Sequence, residues 1–350
     1  MKLKRAQHLR YMAALVVALP IVIIWSLNSG VLDINLADYL IPNFTSDGAD
    51  HTSFNQAILW EIRLPRIVMT LVTGAGLALC GVVLQALCRN PLADPGLIGV
   101  SSGAALFAAM GFYMASVAAL PAWLPDFMLQ GFISMMAAVG ASLALILLLK
   151  IASSHAGINT LMLILAGVAI NAGAVTLLGF VNYLADDETL RQITFWTLGS
   201  YAGINLQKAV FALVVISAAY TLFYRKSHAM MLISASEKQA RYQGINVHKT
   251  KRHLLLVVAL VVAVSVCFTG IVGFVGLVVP HLCRMAISSH LRILLPSSAL
   301  VGAMLVTLAD TFARTVLAPA ELPIGLLTSL IGVPFFLYLI VREKRRLSFV

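Results

Sequence analysis

Ten stretches of this chain are apolar for long enough to be read as membrane-spanning helices. They are Tyr11–Leu27, Ile67–Leu87, Leu97–Leu120, Phe127–Leu149, Thr160–Leu184, Ala209–Phe223, Leu254–Thr269, Ile271–Cys283, Ile293–Ala318 and Ile324–Val341. A helix needs about 20 predominantly apolar residues to cross the hydrocarbon core. The least defined boundary lies in Leu254–Cys283, apolar throughout and readable as one long span or two short ones. Gly270, Gly273 and Gly276 interrupt it, which favours a break. The pattern predicts an all-α, polytopic membrane protein of about ten helices, several short or broken, in one compact bundle. Residues 1–350 form a single transmembrane domain on this reading, with short loops joining antiparallel neighbours.

Charge decides between nine spans and ten. Lys and Arg collect on the cytoplasmic side of a membrane protein. With ten spans and the N-terminus inside, the inner segments hold 19 of the 24 basic residues and three acids, Asp94, Glu237 and Glu343. The outer segments hold Arg63, Arg66, Arg191, Lys208 and Arg314, together with the other eleven acids. Nine spans would put the basic tail Arg342–Arg346 outside, against the rule. Both termini are therefore expected in the cytoplasm.

Composition narrows the class. The chain is 60% hydrophobic and 11% charged, with a mean hydropathy of +0.94, whereas a soluble domain carries about 25% charged residues. A soluble enzyme, a disordered chain and a nucleic-acid-binding protein are excluded, and the net charge of +10 follows from membrane orientation. Cys80, Cys88, Cys267 and Cys283 lie in or beside apolar runs, where cysteine behaves as a small hydrophobe. The basic start and apolar Tyr11–Leu27 imitate a signal peptide, but the run is long and no Ala-x-Ala site follows it, so a retained anchor is expected. Asn43-Phe44-Thr45 fits a glycosylation sequon and, as a common triplet, carries no weight.

The longest polar stretches are Asn28–Trp60 outside, with an expected short surface helix, and Arg225–His253 inside. Within the latter, residues 234–252 read as a short amphipathic helix, a stop at Gly244 and a basic segment leading into the next span. Gly81-Val-Val-Leu-Gln-Ala-Leu-Cys-Arg89 echoes Gly276-Leu-Val-Val-Pro-His-Leu-Cys-Arg284. The echo pairs two spans of the same direction, so it does not indicate an inverted repeat.

Candidate chemistry is concentrated where glycines, prolines and polar residues fall at membrane depth. Backbone there departs from a helix only where protein or a watery cavity satisfies it. Arg89-Asn90-Pro91-Leu-Ala-Asp94-Pro95-Gly96 and the following Ser101 and Ser102 read either as a tight cytoplasmic turn, with close packing through Gly99-x-x-x-Gly103, or as a broken segment lining a translocation path. Gly99-Val-Ser101-Ser-Gly103 matches a nucleophile elbow, but it opens a membrane helix and has no nearby His, which argues against a hydrolase. The eight histidines are scattered singly, so no metal site is expected; His281 is read as a helix-end residue. Asp310 and Arg314 are one turn apart, and intramembrane ionisable residues are functional candidates. No phosphate-binding Gly-rich loop ending in Lys-Ser or Lys-Thr occurs, so any ATP must be bound by another chain.

Six segments together carry a resemblance. Arg63-Leu-Pro-Arg66, the run Arg89–Ala104, Gly273-Phe-Val-Gly-Leu-Val-Val-Pro-His281, Leu308-Ala-Asp-Thr-Phe-Ala-Arg314, Glu321-Leu-Pro-Ile-Gly325 and Gly332-Val-Pro-Phe-Phe336 stand in this order. From about Glu61 to Tyr338 the chain resembles the permease subunits of bacterial ABC importers for ferric siderophores, haem and cobalamin, the FecCD family. The resemblance implies a homodimer of ten-helix subunits in the inner membrane, two cytoplasmic ATP-binding subunits that hold ATP and Mg, and a periplasmic substrate-binding protein. No cofactor is expected in this chain, and no partner beyond these and membrane lipid. Leu184–Ser200 looks most like the haem permeases, with a ferric siderophore or cobalamin as the other cargoes. An ion-coupled secondary transporter is the reading from another class; it needs mid-membrane acids, which the span centres lack.

By resemblance, Arg63, Arg66 and Arg314 present arginines to the binding protein; the residue-based alternative is interfacial anchoring, with Arg314 satisfied by Asp310. Asn159 and Thr160 lie at the family's cytoplasmic gate, where Asn159 also fits a helix cap. Glu237, Ala240, Arg241 and Gly244 lie in the segment that docks on the ATPase. The family pattern there is Ala-x-x-Leu-Gly, from which Gln243 departs.

Overall fold

The computed structural model of the chain describes residues 2–30, 56–117, 126–154 and 157–347. Its helices, in order, are α1 (Lys2–Asn28), a π-helical turn (Ile58–Arg63) running into α2 (Leu64–Cys88), a 3₁₀ turn (Pro95–Ile98), α3 (Val100–Val117) and α4 (Asp126–Ala152). A two-residue antiparallel ribbon pairs β1 (Ser153–Ser154) with β2 (Gly157–Ile158). Then follow α5 (Thr160–Leu184), α6 (Asp187–Leu198), α7 (Leu206–Arg225), α8 (Ser227–Ala235), α9 (Glu237–Tyr242), α10 (Val247–Thr269), α11 (Val275–Ala286), α12 (Leu291–Thr315) and α13 (Ile324–Leu347). Among the described residues, eight helices are long and apolar enough to cross a membrane, and Val275–Ala286 and Ile324–Tyr338 are two shorter apolar ones. The all-α bundle of about ten spans is what the periodicity predicts.

Helix starts follow local chemistry. Asn159, Asp186, Asn205, Ser236 and Asn246 each cap a helix, their side-chain oxygens accepting from backbone N–H groups of the first turn. Such caps satisfy donors that the helix itself leaves unpaired. The break after Thr269 falls at Gly270–Phe274, so the long apolar stretch is two helices. Gly276 lies inside the second of them.

The bundle is arranged around α2, whose apolar stretch is 83% buried, whereas that of α1 is 6% buried. α2 and α12 run antiparallel, with Thr70 hydrogen-bonded to Thr307 at 2.9 Å. Their backbones nearly touch: a Cβ on Gly74 would lie 2.2 Å from the Gly302 carbonyl oxygen. Small residues allow this approach between membrane helices, where packing replaces hydrophobic driving force. α1 rests on the outside of α12, with Trp25 and Phe312 rings 5.8 Å apart. Large apolar side chains such as Leu143, Leu147, Leu165, Val175 and Val214 are exposed, as surfaces facing lipid or another protomer require.

Several expected boundaries move. The third span begins as a helix only at Val100, preceded by the 3₁₀ turn, and α10 starts at Val247, taking the basic segment into its first turns. His281 lies within α11, five residues before its end, its ring edge-to-face with Phe335. The expected outer surface helix and Asn43 lie outside the described residues.

Candidate translocation site

α2 ends at Cys88, and Arg89 takes the left-handed conformation (φ 51°) that stops it. The Arg89 guanidinium donates to the Ile233 carbonyl of α8 at 2.8 and 3.2 Å, fixing this helix end beside α8 and α9. Asn90 turns the chain back: its Oδ1 accepts from Leu92 N–H at 2.9 Å and its carbonyl from Ala93 N–H at 3.2 Å. The segment then climbs into the bundle. A Cβ on Gly276 would meet Pro95 at 2.4 Å, and a Cβ on Gly81 would meet the Gly276 carbonyl oxygen at 1.9 Å. Gly81 lies seven residues before Cys88, so Pro95 sits about 10 Å deeper than Arg89 at 1.5 Å rise per residue. The echoed glycines, Gly81 and Gly276, are thus in direct contact.

Two chain breaks meet at this depth, 89–99 and 270–274. Between them lies a cavity of about 270 Å³ lined by Asp94, Pro95, Gly96, Ser101, Ser102, Asn171, Gly273 and apolar neighbours from α2 and α10. Asn90 and Pro91 belong to the same segment but sit at its mouth, half-buried and exposed, and do not line the cavity. Asn171, in the middle of α5, holds the broken segment in place. Its Nδ2 donates to the Gly96 carbonyl at 3.1 Å, and its Oδ1 accepts from Ser102 Oγ at 2.5 Å. Asp94 Oδ1 accepts from Gly96 N–H at 2.7 Å. Backbone groups freed from helix at Leu92, Ala93, Gly96 and Leu97 are therefore satisfied from within the protein, as membrane depth demands. A second cavity of similar volume, around Lys208 and Gln130, lies beyond Gly270 and does not touch the 89–99 segment.

The segment Leu184–Ser200 covers the second break. Ser200 N–H donates to the Thr269 carbonyl at 2.9 Å, and Ile324 N–H to the Gly199 carbonyl at 3.1 Å. α6 is thereby tied to the end of α10 and the start of α13.

At the α8–α9 end, Asn159 caps α5, its Oδ1 accepting from Leu161 and Met162 N–H at 2.9 and 3.3 Å. Thr160 is the first residue of that helix. Ser236 opens α9, Glu237 is its first residue, Ala240 is fully buried and Arg241 is exposed. The helix stops in a double bond, Gly244 N–H to the Arg241 carbonyl at 2.9 Å and Ile245 N–H to the Ala240 carbonyl at 3.0 Å. That pattern requires a left-handed residue after the cap, and Gly244 (φ +78°) supplies it. Gln243 is exposed, so its departure from the family's Leu removes no core contact. Burial of Glu237 raises its carboxyl, but the hydrogen bond and charge of Lys251 and the charges of Arg89 and Arg241 outweigh it. The net effect holds the carboxyl below its ordinary range.

At the opposite end, Arg63, Arg66 and Arg314 come together, but all three are buried and turned into their own chain. Arg66 donates through Nε and Nη2 to Asp310 at 2.9 Å each, and through Nη1 and Nη2 to Glu321 at 2.8 and 3.0 Å. Arg63 donates to the Leu27 carbonyl. Arg314 donates to the Ser29 carbonyl at 2.7 Å, to the Ser26 carbonyl and to Ser26 Oγ at 2.9 Å. The expected i, i+4 pair of Arg314 with Asp310 is present as a long ion pair at 3.8 Å, but the hydrogen bonds of Asp310 go to Arg66, and those of Arg314 to the end of α1. Spacing along one helix did not reveal a partner 244 residues away.

The FecCD transport family matches residues 18–342. This chain belongs to the FecCD transport family. It is 39% identical to the hemin transport system permease protein HmuU of Yersinia pestis over 344 residues, covering 98% of this chain and 99% of that one. It is 38% identical to the vitamin B12 import system permease protein BtuC of Vibrio cholerae over 295 residues, covering 83% and 85%. A solved chain from an ABC transporter described as metal-chelate type, in an inward-facing conformation, superposes with a TM-score of 0.80 at 31% identity, covering 95% of this chain and 99% of that one. The protein is therefore a multi-pass membrane permease of the ABC-importer class.

Two residues at the site escape a reading of motifs. Asn171 is an amide in the middle of an apolar helix, detectable as a polar residue where lipid offers it no partner. Lys251 is indistinguishable in sequence from its basic neighbours, yet it is 3% exposed.

Proposed function

We propose that this chain is the permease subunit of a haem importer and acts as a homodimer in the bacterial inner membrane with both termini cytoplasmic. The observation that carries the cargo assignment is full-length similarity to a hemin permease; the likeness of Leu184–Ser200 to haem permeases supports it. Two ATP-binding subunits supply hydrolysis of MgATP from the α8–α9 side, and a periplasmic protein delivers cargo at the Arg66 side. Each protomer contributes a half-path through its broken segments, where Asp94, Pro95, Gly96, Ser101 and Ser102 offer small, weakly interacting surfaces. Asn90 and Pro91 form the mouth. Asn159 and Thr160 form the cytoplasmic gate. Glu237, Ala240, Arg241 and Gly244 build the element that docks on the ATPase. The cluster of Arg63, Arg66 and Arg314 shapes the surface that receives the binding protein, and Glu321, partly exposed beside Arg66, lies on that surface.

Alternating access then requires only that the two mouths be biased in opposite senses by nucleotide and by the loaded binding protein. The reading from a second cargo class, cobalamin, rests on the similarity to the Vibrio cholerae permease. Uptake into proteoliposomes holding the reconstituted complex, with haem, a ferric siderophore and cobalamin offered in parallel, separates them. ATP-dependent accumulation of haem is expected. Accumulation of cobalamin or the siderophore without haem would overturn the assignment.

A further inference from the structure

Lysine is almost never fully buried unless paired, and Lys251 lies where three elements of different roles converge. It stands in the second turn of α10, 3% exposed. Its Nζ donates to Glu237 Oε1 at 2.7 Å and to Thr160 Oγ1 at 3.3 Å. Glu237 is the first residue of α9 and Thr160 the first of α5. The same carboxylate oxygen lies 3.6 Å from Arg89 Nη2, at the point where α2 gives way to the broken segment. Glu237 and Thr160 are 77 positions apart in sequence and share one ammonium.

We propose that Lys251 is a positioning residue that carries displacement of α9 to the start of α5, so that nucleotide-driven movement of the docking element opens or closes the gate. The proposal rests on the reading that α9 docks the ATPase and that Thr160 marks the gate. A flexible surface lysine would let α9 shift without consequence. A buried ammonium bonded on two sides resists separation from either, because parting from Glu237 leaves the charge without its counter-ion and parting from Thr160 leaves a buried N–H without an acceptor. Lys251 therefore makes α9 and the N-terminus of α5 move together. Arg89, bonded to α8 and close to Glu237, brings the end of α2 into the same unit.

The test reads the gate without depending on cargo. Leu161 is 61% exposed beside Thr160, so a Leu161→Cys reporter leaves the Thr160 contact in place. It is carried with Cys88→Ser, since the other three native cysteines are buried. Oxidative cross-linking between protomers is measured in the full complex with its ATPase, with ADP and after vanadate trapping. With Lys251 intact, the cross-link yield should change between the two states by about fivefold or more, the lower range of a coupling free energy. Lys251→Met should reduce the change to less than about twofold while the ATPase still co-purifies and hydrolyses ATP. Lys251→Arg, which keeps a cation in reach of Glu237, should restore the response. Thr160→Val removes only the gate-side contact and should reduce the response in the same way, which covers the case in which Lys251→Met fails to assemble.

An undiminished nucleotide response in assembled Lys251→Met, or in Thr160→Val, would overturn the proposal. A reporter that shows no nucleotide response with Lys251 intact would remove the gate reading itself, and the relay with it. The two failures are therefore distinguishable.

Discussion

Replacing Arg66 with methionine should destabilise the folded permease by about 3 kcal/mol, the low end of the range for removing one member of a buried ion pair. Arg66 and Asp310 side chains are 10% and 2% exposed, and Arg66 supplies three hydrogen bonds to that carboxylate. Without it Asp310 remains buried, with the Arg314 Nε, 3.8 Å away, as its remaining ion partner among the described residues; this residual neighbour places the loss at the low end. Glu321 is the contrast. Its side chain is 39% exposed, so Glu321→Gln should cost about 0–1 kcal/mol, as exposed pairs do. Removing both buried charges with Arg66→Met and Asp310→Leu should cost less than Arg66→Met alone, because the buried carboxylate no longer stands without Arg66. Arg314 keeps its bonds to Ser26 and Ser29, and the half-exposed Glu321 is left to solvent. Unfolding in detergent can be followed by a thiol-reactive dye, since Cys80 is fully buried in α2 and is exposed only on opening. Equal destabilisation by Arg66→Met and Glu321→Gln would refute the reasoning. So would a double variant less stable than the single one.

Other outcomes follow from the same geometry. Gly244→Val forces a left-handed residue with no glycine, costing about 1–2 kcal/mol locally; transport per ATP hydrolysed should fall while membrane insertion, checked by detergent gel filtration, stays normal. The Glu237 carboxyl titrates below its ordinary 4.5 in the folded state, so its ionisation contributes stability above pH 4.5, which is lost as pH falls through that value toward the folded one. The thermal midpoint in detergent, followed by tryptophan fluorescence, should therefore fall less steeply below pH 5 in Glu237→Gln than in the unsubstituted protein. Gly81→Ala would place a Cβ 1.9 Å from the Gly276 carbonyl oxygen and should abolish monodisperse protein in gel filtration. Gly273→Ala meets nothing within 4 Å, so it should leave that profile unchanged.

The bundle was legible because its signals are local. Hydropathy sets span number, and Asn, Asp and Ser caps mark helix starts within one turn. The glycines at 270 and 273 marked the break between α10 and α11 for the same reason. What could not be read is which distant residues share a charge. Asp310 and Arg314 fit an i, i+4 pair on one helix, yet the bundle brings Arg66 to Asp310 from α2 and turns Arg314 toward the carbonyls at the end of α1. The three arginines were expected to face a partner, and burial of their guanidiniums depends on where α1 and α13 pack, which no spacing encodes. The depth of the 89–99 segment was equally hidden. Its prolines and Asp94 mark a departure from helix, but whether it turns at the membrane edge or climbs inward depends on Gly81, Gly276 and Asn171 from three other helices.

Cavity size connects this geometry to assembly. The space between the two breaks is about 270 Å³, whereas sites enclosing drug-sized ligands run to about 300–1,000 Å³. A single protomer thus offers too little room to enclose a macrocycle of the haem or cobalamin class. The half-path reading resolves this, because a second copy facing the first would add its own broken segments to the same passage. The exposed apolar face of α5, including Leu161, Leu165, Val168 and Val175, lies on the helix that carries both the cavity residue Asn171 and Thr160, the residue proposed for the gate. Closing that face against its symmetry mate would place two cavities and two gates about a common axis. One conformational change at the start of α5 would then act on both sides of the passage at once.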